Sequence, residues 1–361
     1  MDDLWNNLQV RNSQHLARFQ IVNQKLYADS FNRFDLYFLK WVDYLQKIIT
    51  KYKIEDIDFI IYIRDELIPD ISFTDNLIKV PAFMMSKNIT SVYEKDKLLL
   101  PDVHILMHNW AGLMERINKS KTDYTWDTKV NKIFWRGATT GSNDVNFYNI
   151  KNIDKLNRLK LTILSKLYPE LLDARLNRFT ELSKDQEGYN LKWIIEKLFG
   201  EDDFTVKEED HLKYKYLVAI DGNTCPWMRV PWIMLSNSVL LKQETNNIQW
   251  FYKAIKPYVN YVPVKEDLTN IFDQLEWMKM NDNQVKEISI NAQEFIKNEL
   301  SPEDIEAHLV IILNKYHLIQ KDKKIFATLK TLEEIRSVTF FLKGAYHRLK
   351  TKLLPWMDKW F

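Results

Sequence analysis

The residues best placed to do chemistry lie between Lys213 and Val264. There an apolar run, Tyr216-Leu-Val-Ala-Ile220, breaks into Asp221-Gly-Asn-Thr-Cys-Pro-Trp-Met-Arg229. A helical stretch and a second apolar run, Ser238-Val-Leu-Leu-Lys242, follow. A buried strand that ends in a small-residue turn leaves backbone N–H groups at the next helix start free to meet an anion. Arg229, one turn into that helix, adds a charge-assisted fork of the kind that holds a phosphate. A second basic turn, Phe134-Trp-Arg-Gly-Ala-Thr-Thr-Gly141, comes earlier in the chain. By itself its Arg136-Gly137 pair reads as a surface turn with an ion pair of little energetic weight. Asp65 directly follows the apolar run Phe59–Ile63, where the carboxyl end of a parallel strand meets a ligand crevice. From its neighbours alone, Asp65 reads as a partner of Arg64, as a cap of the next segment, or as a general base.

The elements that must position these residues are legible as alternating strands and helices. Phe31, Phe34, Phe38, Trp41, Val42, Leu45 and Ile49 recur at helical spacing and predict an amphipathic helix up to Thr50. Phe59–Ile63 is short, continuous and β-branched, as in a strand covered on both faces. Further strands are predicted over Val80 to Met85, Ile133 to Trp135, around Tyr216 and around Val239. Ser301-Pro-Glu-Asp304 and Thr331-Leu-Glu-Glu334 are helix starts, the second a capping box. This alternation predicts an α/β chain with parallel sheets in both halves.

Taken together, the motifs resemble glycosyltransferase family 90. The resemblance rests on Lys213-Tyr-Lys-Tyr-Leu217, Gly222, Arg229, Trp250-Phe-Tyr252, and Tyr261-Val-Pro-Val264 with Asp267-Leu268. Phe134 to Gly141 is similar to that family's Arg-Gly donor loop, and Ile61-Tyr-Ile-Arg-Asp65 to its strand-end motif. The three motifs stand in the family's order over about residues 59 to 318, a far more specific signal than any one alone. The resemblance implies a GT-B-like architecture: two Rossmann-like domains, an interdomain cleft and a C-terminal helix. It implies an N-terminal acceptor-side domain over 1–127, a nucleotide-sugar domain over 128–325, and a helical extension over 326–361 packing back on the first domain. It also implies inverting transfer of glucose or xylose from the UDP-sugar to an acceptor hydroxyl, with Asp65 as base. Arg136 and Arg229 would stabilise the leaving diphosphate, with N–H groups around Gly137, Thr139, Thr140, Gly222 and Asn223 and with Lys242. No metal or other cofactor is implied. A bacterial surface glycan such as lipopolysaccharide is the natural acceptor on this reading. A protein acceptor, or a non-catalytic binding protein of the same fold, is the alternative.

Composition narrows the remaining classes. The 19 Phe, 17 Tyr and 12 Trp among 361 residues can build sizeable cores. A net charge of +2 is too small to argue for nucleic acid. The lone Cys225 allows no intramolecular disulfide, and in a tight loop it reads as structural. The N-terminal residues lack a signal-peptide pattern and no apolar run approaches the ~20 residues of a membrane span, so a cytoplasmic protein is expected. Asp56-Ile-Asp58 has a metal-binding D-x-D spacing but precedes its strand, and it reads as a solvated turn. His104 and His108 share an i,i+4 spacing without a third ligand. They read instead as cleft residues, His108 on the acceptor side. The tail from Phe340 to Phe361 mixes Lys343, Arg348, Lys350, Lys352 and Lys359 with Leu353, Trp356, Trp360 and Phe361. It suits either peripheral contact with a membrane surface or packing against the N-terminal domain.

Overall fold

The computed structural model describes residues 15–29, 35–63, 82–107, 109–141, 156–179, 191–199, 205–320 and 324–334. Asp65, His108 and the tail beyond Glu334 lie outside them. The chain forms two compact units. One comprises Met1–Met85, Val92–Val103 and Glu306–Phe361, and the other Ser86–Ser91 and His104–Ile305. The divisions therefore fall near residues 103 and 305, where the sequence reading places 127 and 325. The shift at the first has a packing cause. The helix Trp110–Ser120 buries Trp110, Leu113 and Ile117 in the core of the second unit.

The first unit is built on a mixed six-stranded sheet. Its order is Lys330–Thr331, Lys25–Ala28, Leu16–Val22, Ile57–Tyr62, Phe83–Met84 and Leu98–Leu99. Leu16–Val22 pairs antiparallel with both of its neighbours, whereas Ile57–Tyr62, Phe83–Met84 and Leu98–Leu99 run parallel. The expectation of a parallel sheet thus holds only for half of this unit. The cause is a tight hairpin at Asn23 and Gln24, whose φ values of 49° and 59° match the strand twist. Ile57–Tyr62 is buried at every position, as its apolar run Phe59–Tyr62 requires. The predicted amphipathic helix spans Leu36–Lys51, with the Asp35 carboxylate accepting from the Tyr37 and Phe38 amides. Residues 324–334 return to this sheet: Lys330 pairs opposite Ala28, and the Thr331–Glu334 capping box is formed.

Asp58 departs from its sequence reading. It is no solvated turn residue but a buried one inside the strand Ile57–Tyr62. Its carboxylate takes a fork from Arg18, at 2.9 Å from Nε and 2.5 Å from Nη2, and a further bond from Gln20. Asp56 meanwhile accepts from the Asn23 amide at the hairpin. Asp58→Ala is expected to cost about 3–5 kcal/mol of stability, because it removes the bidentate carboxylate of a buried ion pair. Denaturant unfolding measures that directly, and a loss below 1 kcal/mol would contradict it.

The second unit carries the nucleotide-type sheet. Its order is Val262–Val264, Val239–Gln243, Tyr214–Ala219, Val130–Ala138 and Leu172–Arg178, with every pair parallel. One face packs on the helices Trp110–Ser120 and Arg229–Leu235, the other on Asn157–Leu167 and Ile271–Met280. Asp282–Glu299 contributes to both cores. These two α/β units are the pair that a GT-B-like expectation requires. Because all five strands run the same way, the turns after Ala138, Ala219, Gln243 and Val264 share one edge of the sheet.

Candidate active site

The carboxyl edge of the second sheet is where the two glycine-bearing turns meet. Gly141 has φ 124°, a left-handed conformation that disfavours other residues, and its amide donates to Asn223 Oδ1 at 3.0 Å. A Cβ at Gly222 would come within 2.8 Å of Arg158 Nη2 and 3.0 Å of Thr140 Oγ1. The turns 138–141 and 221–223 are therefore one structure. Gly137 plays a different part: a Cβ there would strike the Trp135 ring at 2.4 Å. Without one, the indole folds along the strand, and its centre lies 5.9 Å from the Arg158 guanidinium carbon and 6.0 Å from that of Arg229.

Two amides of the expected cradle are engaged within the protein. The Thr139 amide donates to Arg178 O and the Gly222 amide to Thr224 O.

The three basic residues singled out from sequence differ sharply in their surroundings. Arg136 faces the neighbouring strand and forks onto Asp173, at 2.9 Å (Nη1–Oδ1) and 3.1 Å (Nη2–Oδ2), with its guanidinium over the Phe134 ring. Burial alone would raise the Asp173 carboxyl. The Arg136 fork, with Tyr214 and Arg175, outweighs burial and holds it below its ordinary value. Lys242 is buried beside the Tyr252 and Tyr261 rings, and its ammonium donates to Gln243 O and to Glu244. Arg229 is the exception. Its single hydrogen bond among the described residues is to Arg136 O at 2.6 Å, and no carboxylate stands within ion-pair distance. Burial draws its pKa down to about 10, so it remains charged at neutral pH. Among the described residues it is thus a partly buried cation with most of its donors unused. The Thr224 hydroxyl, buried and without a partner, lies in the turn that precedes it.

Two further groups complete the edge, and neither was singled out from sequence. Asp221 is pushed up to about 6 by burial, against the Thr245 and Asn247 side chains that donate to its Oδ2. Arg158 reaches from the helix Asn157–Leu167 onto both turns. A signal for Arg158 existed: a cation in a helix's first turn opposes the macrodipole and calls for a reason. Cys225 is buried, in keeping with a structural role. His104 packs against Trp227, ring centres 4.8 Å apart with the planes tilted by 32°, and Trp227 itself has φ 44°. Among the described residues no cluster of three or more His, Cys, Asp or Glu could hold a metal ion. Likewise, no described helix is long and apolar enough to cross a membrane.

His211 packs beneath this edge, against the Phe134 and Trp232 rings, with Nδ1 donating to Lys207 O at 2.7 Å. Burial first, then the charges of Arg229 and Arg136, pull its pKa from 6.5 to about 3, the Lys207 carbonyl opposing them. A depressed histidine stabilises the fold fully above its unfolded pKa and loses that contribution as pH falls toward 3. The melting temperature is expected to fall as pH drops below 6.5, and His211→Gln should flatten that fall. Parallel pH profiles for the two proteins would contradict the assignment.

A groove of ≈ 350 Å³ lies elsewhere in this unit, lined by Lys132, Ser165, Lys166, Asp173, Arg175 and Phe199 among others. It sits beside the first half of the edge strand, away from the glycine turns. Lys132 and Lys166 there already donate to the Pro169 and Leu198 carbonyls.

A parallel, doubly covered sheet with glycine turns at its carboxyl edge defines an α/β protein of the doubly wound kind. The chain belongs to glycosyltransferase family 90, whose sequence profile matches residues 6–343. It is 26% identical over 314 residues to protein O-glucosyltransferase 3 of Mus musculus, an alignment covering 85% of this chain and 56% of that protein. With protein O-glucosyltransferase 1 of Bos taurus it shares 26% over 313 residues, covering 83% of this chain and 71% of that one. The chain thus spans little more than half the length of the first of these relatives. Among solved structures, sucrose-phosphate synthase from Thermosynechococcus elongatus covers 69% of this chain and 62% of its own. Its TM-score of 0.40 at 8% identity is too low to carry an argument.

Proposed function

We propose that this chain transfers a sugar, glucose or xylose, from its UDP form to an acceptor hydroxyl with inversion. The observation that carries the reading is Arg229, a charged guanidinium with no carboxylate partner among the described residues, at the carboxyl edge of a parallel sheet. Breaking the bond to the sugar leaves new negative charge on the diphosphate, and a pre-positioned cation stabilises that charge as it develops. Arg136 serves at one remove, since its carbonyl holds Arg229 while its own side chain is neutralised by Asp173. Asp65 is the base that takes the acceptor proton; the support for it is its place three residues beyond the strand Ile57–Tyr62 and the family motif. The protein O-glucosyltransferase relatives favour a protein acceptor over the lipopolysaccharide first expected.

Metal is not required on this account, because Arg229 supplies the charge a divalent ion would otherwise bring. The test is UDP release from UDP-glucose and UDP-xylose, with and without EDTA, offering folded protein domains and glycans as acceptors. Release that survives the chelator and rises with a protein acceptor is expected. Loss in EDTA with recovery in Mn²⁺ would overturn metal independence. UDP binding without any turnover would favour the non-catalytic reading.

A further inference from the structure

We propose that Arg158 is a positioning residue that builds the donor site by fastening its two turns to each other. Its Nε donates to Asp221 O at 3.0 Å, and its Nη2 to Ile220 O at 3.2 Å. Its Nη1 donates to Ala138 O at 3.2 Å and to Thr140 Oγ1 at 2.5 Å. Each guanidinium nitrogen is therefore engaged with one turn or the other, and the planar fork spans the gap between two strand ends. A lysine, a point charge, cannot hold such an array.

Three independent features of the surroundings fit this role. The carbonyls of Ala138, Ile220 and Asp221 lie past or at the ends of their strands, and Arg158 donates to all three. Gly222 has no side chain where the guanidinium passes, and a Cβ would come within 2.8 Å of Nη2. Arg158 also lies in the first turn of its helix, where the dipole disfavours a cation unless carbonyls receive it. Arg229, whose guanidinium also lies near the Trp135 ring, has one hydrogen bond and no carboxylate partner among the described residues. The two arginines thus divide the work: Arg158 shapes the turns and Arg229 meets the anion.

This inference rests on the donor-site reading, and the test separates the two. UDP affinity is measured by calorimetry for Arg158→Ala, Arg158→Lys, Gly222→Ala and Arg229→Ala, each alongside its melting temperature. Loss of the clamp is expected to weaken UDP binding about tenfold in Arg158→Ala, from several main-chain hydrogen bonds lost together. Arg158→Lys should recover little of it. Millimolar methylguanidinium should restore part of the affinity of Arg158→Ala, a rescue that a general loss of packing would not show. Gly222→Ala reaches the same clamp without altering Arg158, and it carries the test should the arginine variants not fold. Unchanged UDP affinity in folded Arg158→Ala or Gly222→Ala, with Arg229→Ala impaired, would overturn the clamp and leave the donor site standing. Unchanged affinity in all four would remove the donor site itself.

Discussion

Asp65→Asn is expected to lower sugar transfer roughly 10²–10⁴-fold, the usual contribution of a positioned base. UDP affinity should stay within about twofold, because the proposed carboxylate acts on the acceptor hydroxyl and not on the nucleotide. The strand that leads to Asp65 is buried at all its positions and runs parallel to Phe83–Met84. In open α/β sheets ligands bind beyond the carboxyl ends of such strands, and this is the ground on which Asp65 is proposed. Initial rates at saturating donor, paired with UDP calorimetry, decide the matter. Near wild-type transfer by the variant would return Asp65 to an ion pair or a cap.

The second large effect concerns Arg229. Removing the guanidinium deletes charge-assisted hydrogen bonds to the diphosphate, each worth about 1.5–3 kcal/mol. UDP affinity should fall roughly 10- to 100-fold in Arg229→Ala. Transfer should fall further than binding, since the charge being stabilised grows as the sugar leaves. Arg136→Ala should behave differently. It strips Asp173 of its bidentate partner, so its first symptom is a lower melting temperature. If the two variants proved alike in stability and in UDP affinity, the division drawn between them would be wrong.

The sequence disclosed the second unit more fully than the first, for physical reasons. Tyr216–Ile220 and Val239–Leu241 are unbroken apolar runs because parallel strands are covered on both faces. The Asp221-Gly222 turn follows the first of them directly in the chain, so that part of the site's edge could be read locally. The first unit depends instead on the hairpin at Asn23 and Gln24, which lacks the glycine that usually marks such a turn. Long-range pairings were equally hidden. Asp173 lies 37 positions from the Arg136 it neutralises, and Asp58 lies 40 from Arg18. Arg158 stands 63 positions before the Asp221 carbonyl it holds. Residue type and spacing therefore revealed where charge would collect, and only the folded chain reveals which charges are already matched.

The most direct test of the donor site is a crystal structure of the protein with UDP. The account predicts the diphosphate within hydrogen-bond distance of the Arg229 guanidinium, above the turns at Thr139–Gly141 and Gly222–Thr224. UDP bound elsewhere, for example in the groove lined by Lys132, Lys166 and Arg175, with Arg229 untouched, would contradict it.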